Sequence, residues 1–348
     1  MSRRIPLDSL APVFDPAVGR SPSALTDRFG RVHTRLRVSV TDRCNLRCTY
    51  CMPEDVTFQD KSELLTFEEM ARVVRVAAGL GVTKVRLTGG EPTLRRGLPD
   101  LVRLVATTPG VTDIGLTTNG LLLEQLAEPL WAAGLRRLNV SLDTLDPGRF
   151  RELARRDGLD KVLAGLAAAK RLGFGVKVNA VALRGFVDHD AGPLARYCRD
   201  HGFELRFIES MPIGAEPWQR DQAVLADELL ALVEAACGKL VPVAGGDPSA
   251  PATEYEYAAG GGRVGMIASV STPFCNACDR LRLTADGQLR NCLFSVAETD
   301  VKGVLRGGGT DGDVADRLRA CVWGKEAGHG FNAAGWVKPP RTMHAIGG

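Results

Sequence analysis

The 348-residue sequence has no long apolar run, and no segment approaches the roughly 20 consecutive apolar residues that a membrane span needs. Its first residues, MSRRIPLDSLAPVF, contain no continuous apolar stretch, which disfavours a secretory signal. The formal net charge is only +3 at pH 7, so the chain lacks the charge excess that is typical of bulk nucleic-acid or membrane-surface binders. We therefore expect a cytoplasmic protein with reduced thiols and with no nucleic-acid or membrane partner.

The sequence also lacks the biased compositions of disordered, collagen-like and coiled-coil proteins, because 45% of its residues are hydrophobic and 24% are charged. It contains no G-x4-G-K-S/T loop, so any bound triphosphate would have to be neutralised by side chains. Arginine suits such contacts because its guanidinium group can bind phosphate through two hydrogen bonds. The length fits one barrel-sized domain plus a smaller one, or two medium domains.

The chain is rich in cysteine for a protein whose thiols are expected to be reduced. It contains nine cysteines, and six of them form two triplets, Cys44/Cys48/Cys51 and Cys275/Cys278/Cys292. The other three stand alone, and we predict that they are small buried hydrophobic residues: Cys198, Cys237 and Cys321. The compartment and the chain length both disfavour a disulfide framework.

The two triplets predict iron–sulfur clusters. A structural zinc ion takes four ligands, and neither triplet has an obvious fourth cysteine or histidine nearby. Three thiolates on a cubane cluster leave one iron open to a small molecule, and thiolates at short spacings are typical of such clusters. Zinc remains an alternative for the second triplet taken alone, because zinc ribbons also use CxxC units.

Alternating strand and helix patterns predict an α/β fold. Short β-branched or apolar runs, which we predict to be strands, occur at 36–40, 84–88, 112–118, 136–142, 175–181 and 204–209. The predicted helices lie at 66–79, 98–107, 121–133, 159–172, 193–201 and 227–236. Six such units in series favour a parallel sheet with right-handed crossovers, and we predict a partial TIM-like (βα)6 barrel. The expected divisions are a loosely ordered extension at 1–32, the barrel at 33–230 and a smaller C-terminal domain at 231–348.

Distinctive polar residues follow the predicted strands. The first cysteine loop follows strand one, and Gly89-Gly90-Glu91 follows strand two. The glycines would let backbone approach a ligand closely, and Glu91 would accept a hydrogen bond from an ammonium group. Later strands end in or are followed by further polar or sulfur-containing residues, Thr117, Asn119, Ser141, Asp143 and Met211, and Lys177 and Asn179 share one face of strand five. Barrels place their chemistry at the carboxyl ends of their strands, so we expect one shared active-site mouth.

The first cysteine triplet resembles that of the radical S-adenosylmethionine (SAM) superfamily. Its spacing is Cys44-x3-Cys48-x2-Cys51, with the aromatic residue Tyr50 directly before the third cysteine. The Gly89-Gly90-Glu91 segment resembles the GGE motif of that superfamily, which holds the amino group of SAM. The resemblance implies the partial radical SAM barrel, a 4Fe–4S cluster with an open iron, and SAM as cofactor.

The second triplet, with the basic run that follows Cys278, resembles the GTP 3′,8-cyclase family of molybdenum cofactor biosynthesis. The resemblance runs from about Arg35 to Gly347-Gly348. The motifs that carry it are SVTDRCNLRCTYCMP, LTGGEPTLR, TTNG, NVSLD, IESMP, PFCNACDRLRLTADG and the double-glycine end. All six ligand cysteines of the family pattern are present. The resemblance implies a second 4Fe–4S cluster in the C-terminal domain, whose open iron binds the guanine.

The resemblance also implies roles for individual residues. Cys44, Cys48 and Cys51 would hold the SAM cluster, and Cys275, Cys278 and Cys292 the second cluster. The implied SAM contacts are Tyr50, Gly90, Glu91, Ser141 and Met211. The implied GTP contacts are Arg37, Arg86, Thr117, Lys177, Arg280, Leu281 and Arg282. Independently, Arg37 and Lys177 lie within β runs, where an inward-facing cation needs a partner. The tail residues Gly347 and Gly348 would reach the active site.

The implied activity is that of a lyase. A 5′-deoxyadenosyl radical would take the ribose 3′ hydrogen of GTP, and the product would be (8S)-3′,8-cyclo-7,8-dihydroguanosine 5′-triphosphate. The implied partners are a flavodoxin- or ferredoxin-like electron donor and the downstream cyclic pyranopterin monophosphate synthase, with a homodimer left open. Two alternatives are a peptide-modifying radical SAM maturase and a zinc-binding nucleic-acid-binding protein.

Overall fold

The computed structural model describes residues 24–214, 218–331, 333 and 335–348. Its strands are β1 Arg35–Ser39, β2 Lys84–Thr88, β3 Asp113–Thr118, β4 Arg137–Ser141, β5 Gly175–Ala182, β6 Glu204–Glu209, β7 Leu240–Pro242, β8 Thr253–Tyr257, β9 Arg263–Ile267, β10 Arg280–Leu283, β11 Gln288–Arg290 and β12 Thr299–Asp300. Its α-helices are α1 Phe67–Gly79, α2 Leu98–Ala106, α3 Leu123–Ala132, α4 Pro147–Ala154, α5 Leu159–Leu172, α6 Val187–His201, α7 Ala226–Cys237, α8 Lys302–Arg306, α9 Asp311–Trp323 and α10 Met343–Ile346.

The predicted α/β barrel is confirmed. Strands β1 to β6 begin and end within one residue of the predicted runs and pair in parallel in chain order. Helices connect them, as parallel neighbours require. Helix α1 begins where its sequence predicts, because the Thr66 hydroxyl accepts from the Glu69 amide and the Glu69 carboxylate accepts from the Thr66 amide.

The sheet is wider than the six predicted strands. Strand β10 pairs in parallel with β1, and β9 pairs in parallel with β6, so the C-terminal part of the chain extends both edges. The strand order is β12-β11-β10-β1-β2-β3-β4-β5-β6-β9-β8-β7. Val264, Leu281 and Leu283 are buried in the same core as the barrel strands. Helix α7 passes through residue 230, so the expected domain boundary falls inside a helix.

Two helices differ from the sequence-based prediction. Helix α6 begins at Val187, six residues before the predicted start at Pro193. Proline is normally tolerated in the first turn of a helix, which predicts a start there, but Pro193 lies within this helix. Helix α4 was not predicted; it begins after Asp146, whose side chain accepts a hydrogen bond from the Arg149 amide. This short helix lies against the first cysteine loop.

The segment before β1 differs in part from the prediction that residues 1–32 form a loosely ordered extension. Residues 1–23 lie outside the described chain, but residues 24–32 pack onto the barrel. Leu25 is buried, and its amide donates to the Leu80 carbonyl at 3.2 Å. The buried apolar side chain of Leu25 anchors this segment because folding removes that side chain from water.

No described helix combines the length and the apolar character needed to cross a membrane.

Candidate active site

A cavity of about 540 Å³ opens at the carboxyl ends of the barrel strands, and all six triplet cysteines line it. The first triplet comes from the loop after β1, and the second from the loops on either side of β10 and β11. Within the described parts of the chain, no group of three or more His, Cys, Asp or Glu side chains is arranged to hold a single metal ion. The fold therefore brings two separate thiol triplets to one cavity.

Backbone hydrogen bonds fix the first cysteine loop. The Arg47 amide donates to the Ala154 carbonyl at 2.9 Å, and the Thr49 amide donates to the Leu153 carbonyl at 3.0 Å. These carbonyls belong to the last turn of α4, where free acceptors are normally available. The Cys51 amide donates to the Cys48 carbonyl at 2.9 Å, which closes a tight turn. The loop conformation is thus set by protein contacts.

The first three thiols have the chemistry of cluster ligands. Burial raises the pKa of Cys44 to about 11, raises the pKa of Cys51 to about 12, and raises the pKa of Cys48 well above its usual value. Thiolates are stable here only beside a cation, because burial penalises the charged form. The Leu46 amide and the Asn119 side chain approach the Cys44 sulfur at 3.4 and 3.8 Å. Three partly buried sulfur donors that face one cavity fit an iron–sulfur cluster.

Gly89 and Gly90 bring two backbone segments together. The Gly90 amide donates to the Thr41 carbonyl at 2.7 Å, and the Glu91 amide donates to the Arg43 carbonyl at 2.7 Å. A Cβ atom on Gly89 would lie 2.6 Å from the Thr41 carbonyl oxygen, and one on Gly90 would lie 2.4 Å from the Arg43 oxygen. The double glycine was predicted to allow a ligand to approach the backbone closely. In the structure, the backbone that approaches it closely is the segment leading to Cys44.

Glu91 joins three loops. Its Oε1 atom accepts from the Thr93 amide at 3.0 Å, from the Thr93 hydroxyl, and from the Thr118 hydroxyl at 2.7 Å. Its Oε2 atom accepts from the Asn119 amide at 2.6 Å. Burial raises the pKa of this carboxyl, while the four hydrogen bonds oppose that rise. Oε1 already accepts three hydrogen bonds and Oε2 accepts one, so the remaining capacity of the carboxylate for an ammonium donor lies on Oε2.

The implied SAM contacts all line the cavity. Tyr50, Gly90, Ser141 and Met211 all line it. The Tyr50 hydroxyl donates to Asp143 at 2.7 Å, and the other Asp143 oxygen accepts from the Val181 amide at 2.8 Å. Burial raises the pKa of Asp143 to about 6. The sequence marked Asp143 only as the end of a strand, whereas the structure shows that it orients Tyr50.

Two cations contact one thiol of the second triplet, that of Cys278. The Arg280 guanidinium lies 3.6 Å from the Cys278 sulfur and stacks 4.1 Å from the Phe274 ring centre. The Lys325 ammonium lies 3.4 Å from the same sulfur. Burial raises the pKa of Cys278, but Arg280 and Lys325 outweigh it and lower the pKa to about 7. The thiol environment of this triplet therefore differs from that of the first, whose nearest sulfur donors are uncharged.

Three arginines stand side by side across the sheet. Arg37 on β1 is in register with Arg86 on β2 and with Arg282 on β10. All three line the cavity, and neighbouring strands are only about 4.8 Å apart. Within the described residues, none of them forms an ion pair with a carboxylate, nor does Arg280. Burial, followed by repulsion from Arg282, Arg280 and Arg86, lowers the pKa of Arg37 well below its usual value. This row suits a polyanionic ligand.

Other implied GTP contacts differ in their surroundings. Thr117 and Lys177 line the cavity, but the Lys177 ammonium is bonded to the Glu204 carboxylate at 2.6 Å. Leu281 is fully buried in the core and does not line the cavity, because side chains alternate along β10 between its neighbours Arg280 and Arg282. The predicted GTP contact of Leu281 is therefore corrected, because Leu281 packs in the core and not at the cavity.

The C-terminal tail lies beside the cavity. The Arg282 guanidinium donates to the Gly347 carbonyl at 2.8 Å, and Gly348 lines the cavity. Gly347 has a φ of +87°, and a Cβ there would lie 2.7 Å from the Ser39 Cβ, so both its conformation and its packing favour glycine. Upstream, Arg341 donates to both Asp286 oxygens, at 3.0 and 2.7 Å, and so fastens the tail.

Sequence reasoning missed several residues around the cavity. Asn139 accepts from Arg86 at 2.9 Å, and Lys325 contacts the second triplet. Asn139 lies inside the NVSLD motif and could have been found there, but Lys325 and Arg341 are single charged residues without a local pattern. Of the three solitary cysteines, Cys198 and Cys321 are buried as predicted, whereas Cys237 is only partly buried at the end of α7.

Comparisons with known proteins identify similar chains. Residues 38–198 match the family described as the Radical SAM superfamily, and residues 203–331 match Molybdenum Cofactor Synthesis C. The chain is 50% identical to a GTP 3′,8-cyclase of Mycolicibacterium smegmatis, with 96% of each chain covered. It is 46% identical to a GTP 3′,8-cyclase of Rhodopirellula baltica, with 94% of this chain and 93% of the relative covered. The structure of SuiB from Streptococcus suis bound to S-adenosylmethionine is 15% identical, with a TM-score of 0.60 over 82% of this chain and 68% of SuiB, which indicates a shared fold.

Proposed function

Because the chain belongs to the GTP 3′,8-cyclase family of the radical SAM superfamily, we propose that its cavity binds SAM and GTP together and catalyses the cyclisation of GTP. The reaction is that of a lyase and yields (8S)-3′,8-cyclo-7,8-dihydroguanosine 5′-triphosphate. The observation that most directly supports GTP as the substrate is the row of Arg37, Arg86 and Arg282, which lines the same cavity as both thiol triplets. A triphosphate supplies the negative charge that this row lacks.

Cys44, Cys48 and Cys51 would hold the first cluster, and Cys275, Cys278 and Cys292 the second. When bound, the first cluster and SAM supply the 5′-deoxyadenosyl radical chemistry of the superfamily. Tyr50, Gly90, Ser141 and Met211 would contact SAM, and the open lone pair of Glu91 would accept from its ammonium group.

The chain's own residues then orient GTP. The phosphates or ribose would be bound by Arg37, Arg86, Arg280 and Arg282, and Thr117 also lines the cavity. Lys177 would leave Glu204 or share it when the nucleotide binds. Tyr50 is held by Asp143, and the tail glycines close the cavity beside Arg282, which limits water access to the reacting atoms. On the family resemblance alone, a flavodoxin- or ferredoxin-like protein would deliver the electron and cyclic pyranopterin monophosphate synthase would take the product.

The two clusters predict a simple iron stoichiometry. After anaerobic reconstitution, the chain should contain about eight irons with matching sulfide. Replacing Cys44, Cys48 and Cys51 by alanine should leave about four, and replacing Cys275, Cys278 and Cys292 should also leave about four. Cys198→Ala is the matched control, since that buried cysteine lies outside the cavity, and it should retain about eight. Zinc without sulfide in the second triplet would contradict the second cluster.

The substrate is tested by the formation of 5′-deoxyadenosine. The reduced, fully loaded protein is incubated with SAM and with GTP, ATP or no nucleotide. We expect GTP to raise the rate about tenfold or more over no nucleotide, because substrate binding energy is used to reach the reactive arrangement. ATP should have little effect. Equal rates with and without GTP, in protein that contains about eight irons, would rule out the cyclase assignment.

A further inference from the structure

We propose that Lys325 is a positioning residue of the second cluster, a fixed buried cation that joins the two ligand-bearing segments and raises the reduction potential of the cluster. Lys325 is only 3% exposed. No role follows for it from the sequence motifs, because it is a single lysine beyond the last turn of α9. The inference rests on the second cluster proposed above.

The ammonium group connects both arms of the second triplet. It donates to the Cys278 sulfur at 3.4 Å, to the Arg280 carbonyl at 2.9 Å and to the Asn291 carbonyl at 2.8 Å. Arg280 follows Cys278 by two residues, and Asn291 directly precedes Cys292. A lysine ammonium has three N–H donors, so all three are used. One group therefore fixes the distance between the segment that carries Cys278 and the segment that carries Cys292.

The surrounding structure holds Lys325 in place. Its amide donates to the Val322 carbonyl at 3.0 Å, which ties it to the end of α9. The next two residues are held by Arg31, which donates to the carbonyls of Glu326 and Ala327 at 2.7 and 2.9 Å. The same Arg31 guanidinium donates to the Cys275 carbonyl at 2.8 Å. The lysine thus sits in a frame that also contacts the remaining ligand of the triplet.

The positive charge of Lys325 is expected to affect the reduction potential of the cluster. Among the described residues, no carboxylate forms an ion pair with Lys325, and a buried charge without a counter-ion is costly. Thiolates carrying an anionic cluster supply that counter-ion. Hydrogen bonds to ligand sulfur and nearby positive charge stabilise the reduced, more negative form of a cluster. At the first triplet, the donors that reach the Cys44 sulfur within the described part of the chain are an amide and an asparagine side chain, both uncharged. We therefore expect the second cluster to be the easier of the two to reduce.

The test uses the full chain with Cys44, Cys48 and Cys51 replaced by alanine, so that only the second cluster loads. Iron content and a redox titration monitored by electron paramagnetic resonance are measured for this parent and for Lys325→Met, Lys325→Arg and Lys239→Met. Lys239 is exposed and serves as the matched control. Lys325→Met should lower the ratio of reduced to oxidised cluster at a fixed potential about tenfold or more, which is about 59 mV for a one-electron couple. Lys325→Arg should stay within about threefold of the parent, because it keeps the charge, and Lys239→Met should match the parent.

The outcomes separate this inference from the proposed function. A parent chain without iron would refute the second cluster itself, and the assignment of Lys325 with it. With a loaded parent, an unchanged potential in Lys325→Met overturns only the role of Lys325. If Lys325→Met fails to hold iron, loading of Lys325→Arg supports a requirement for the charge. Failure of both variants shows that shape and not charge is required, and overturns the proposal.

Discussion

Replacing Gly90 by alanine should prevent the first cluster from loading and reduce 5′-deoxyadenosine formation about a hundredfold or more. The added Cβ would lie 2.4 Å from the Arg43 carbonyl oxygen and 2.5 Å from that of Asp42. Both are backbone atoms, so no side-chain rotation relieves the contact, and the segment that leads into Cys44 must move. The hydrogen bonds from Gly90 to Thr41 and from Glu91 to Arg43 would be lost with it.

Iron analysis in a chain with alanines at Cys275, Cys278 and Cys292 measures this loss directly, because only the first cluster can then load. Gly79→Ala is the matched control. Gly79 is exposed at the end of α1, and an added Cβ there meets no atom within 4 Å. That variant should load normally and gain about 0.5–1 kcal/mol in the free energy of unfolding, as alanine in place of a helical glycine does. Normal iron content in Gly90→Ala would show that the two loops can separate without loss of the site.

The contact made by Gly90 illustrates how far the sequence could predict this site. The spacing of Cys44, Cys48 and Cys51 is local, so the cysteine loop and its family resemblance could be found in a single stretch, and the comparisons confirm that resemblance. The reason for two glycines at 89 and 90 is a contact with residues almost fifty positions earlier. It exists only because β1 and β2 are adjacent and parallel. The sequence pattern alone could not distinguish that contact from a ligand.

The C-terminal strands were missed for a related reason. Strand β10 contains Arg280, Leu281, Arg282 and Leu283, in which charged and apolar residues alternate as in a half-buried strand. Its basic residues indicate phosphate binding, and its alternation covers only four residues, which is a weak signal for a strand. The pairing partner of β10 is β1, far away in the chain, and only that pairing places Arg282 beside Arg37. A site built from register across strands of distant sequence position is not visible in any one segment.

The register of the arginines leads to the second large effect, which couples activity to stability. Arg37→Met should lower kcat/KM for GTP about a hundredfold or more while raising the melting temperature of the loaded, nucleotide-free enzyme. Arg37 lies between Arg86 and Arg282, and like charges directly opposite each other on neighbouring strands are destabilising. Arg37 is partly buried and forms no ion pair among the described residues, so removing the charge while keeping the aliphatic volume relieves the repulsion and part of the desolvation cost. With GTP bound, the same charge would contact a polyanion, and losing such a desolvated contact costs about 2–5 kcal/mol.

A fall in kcat/KM together with a rise in melting temperature distinguishes a substrate-binding cation from a structural one. Steady-state kinetics with GTP and anaerobic calorimetry without nucleotide measure them on the same preparation. The melting temperature should rise by about 2 °C or more, which corresponds to roughly 1 kcal/mol for a domain of this size. Arg103→Met is the matched control, because Arg103 is 59% exposed and pairs with Asp100 at 2.8 Å on the surface of α2. It should change neither quantity. A fall in both activity and melting temperature in Arg37→Met would mean that Arg37 supports the fold, and the triphosphate would then have to be bound by Arg86, Arg280 and Arg282 without it.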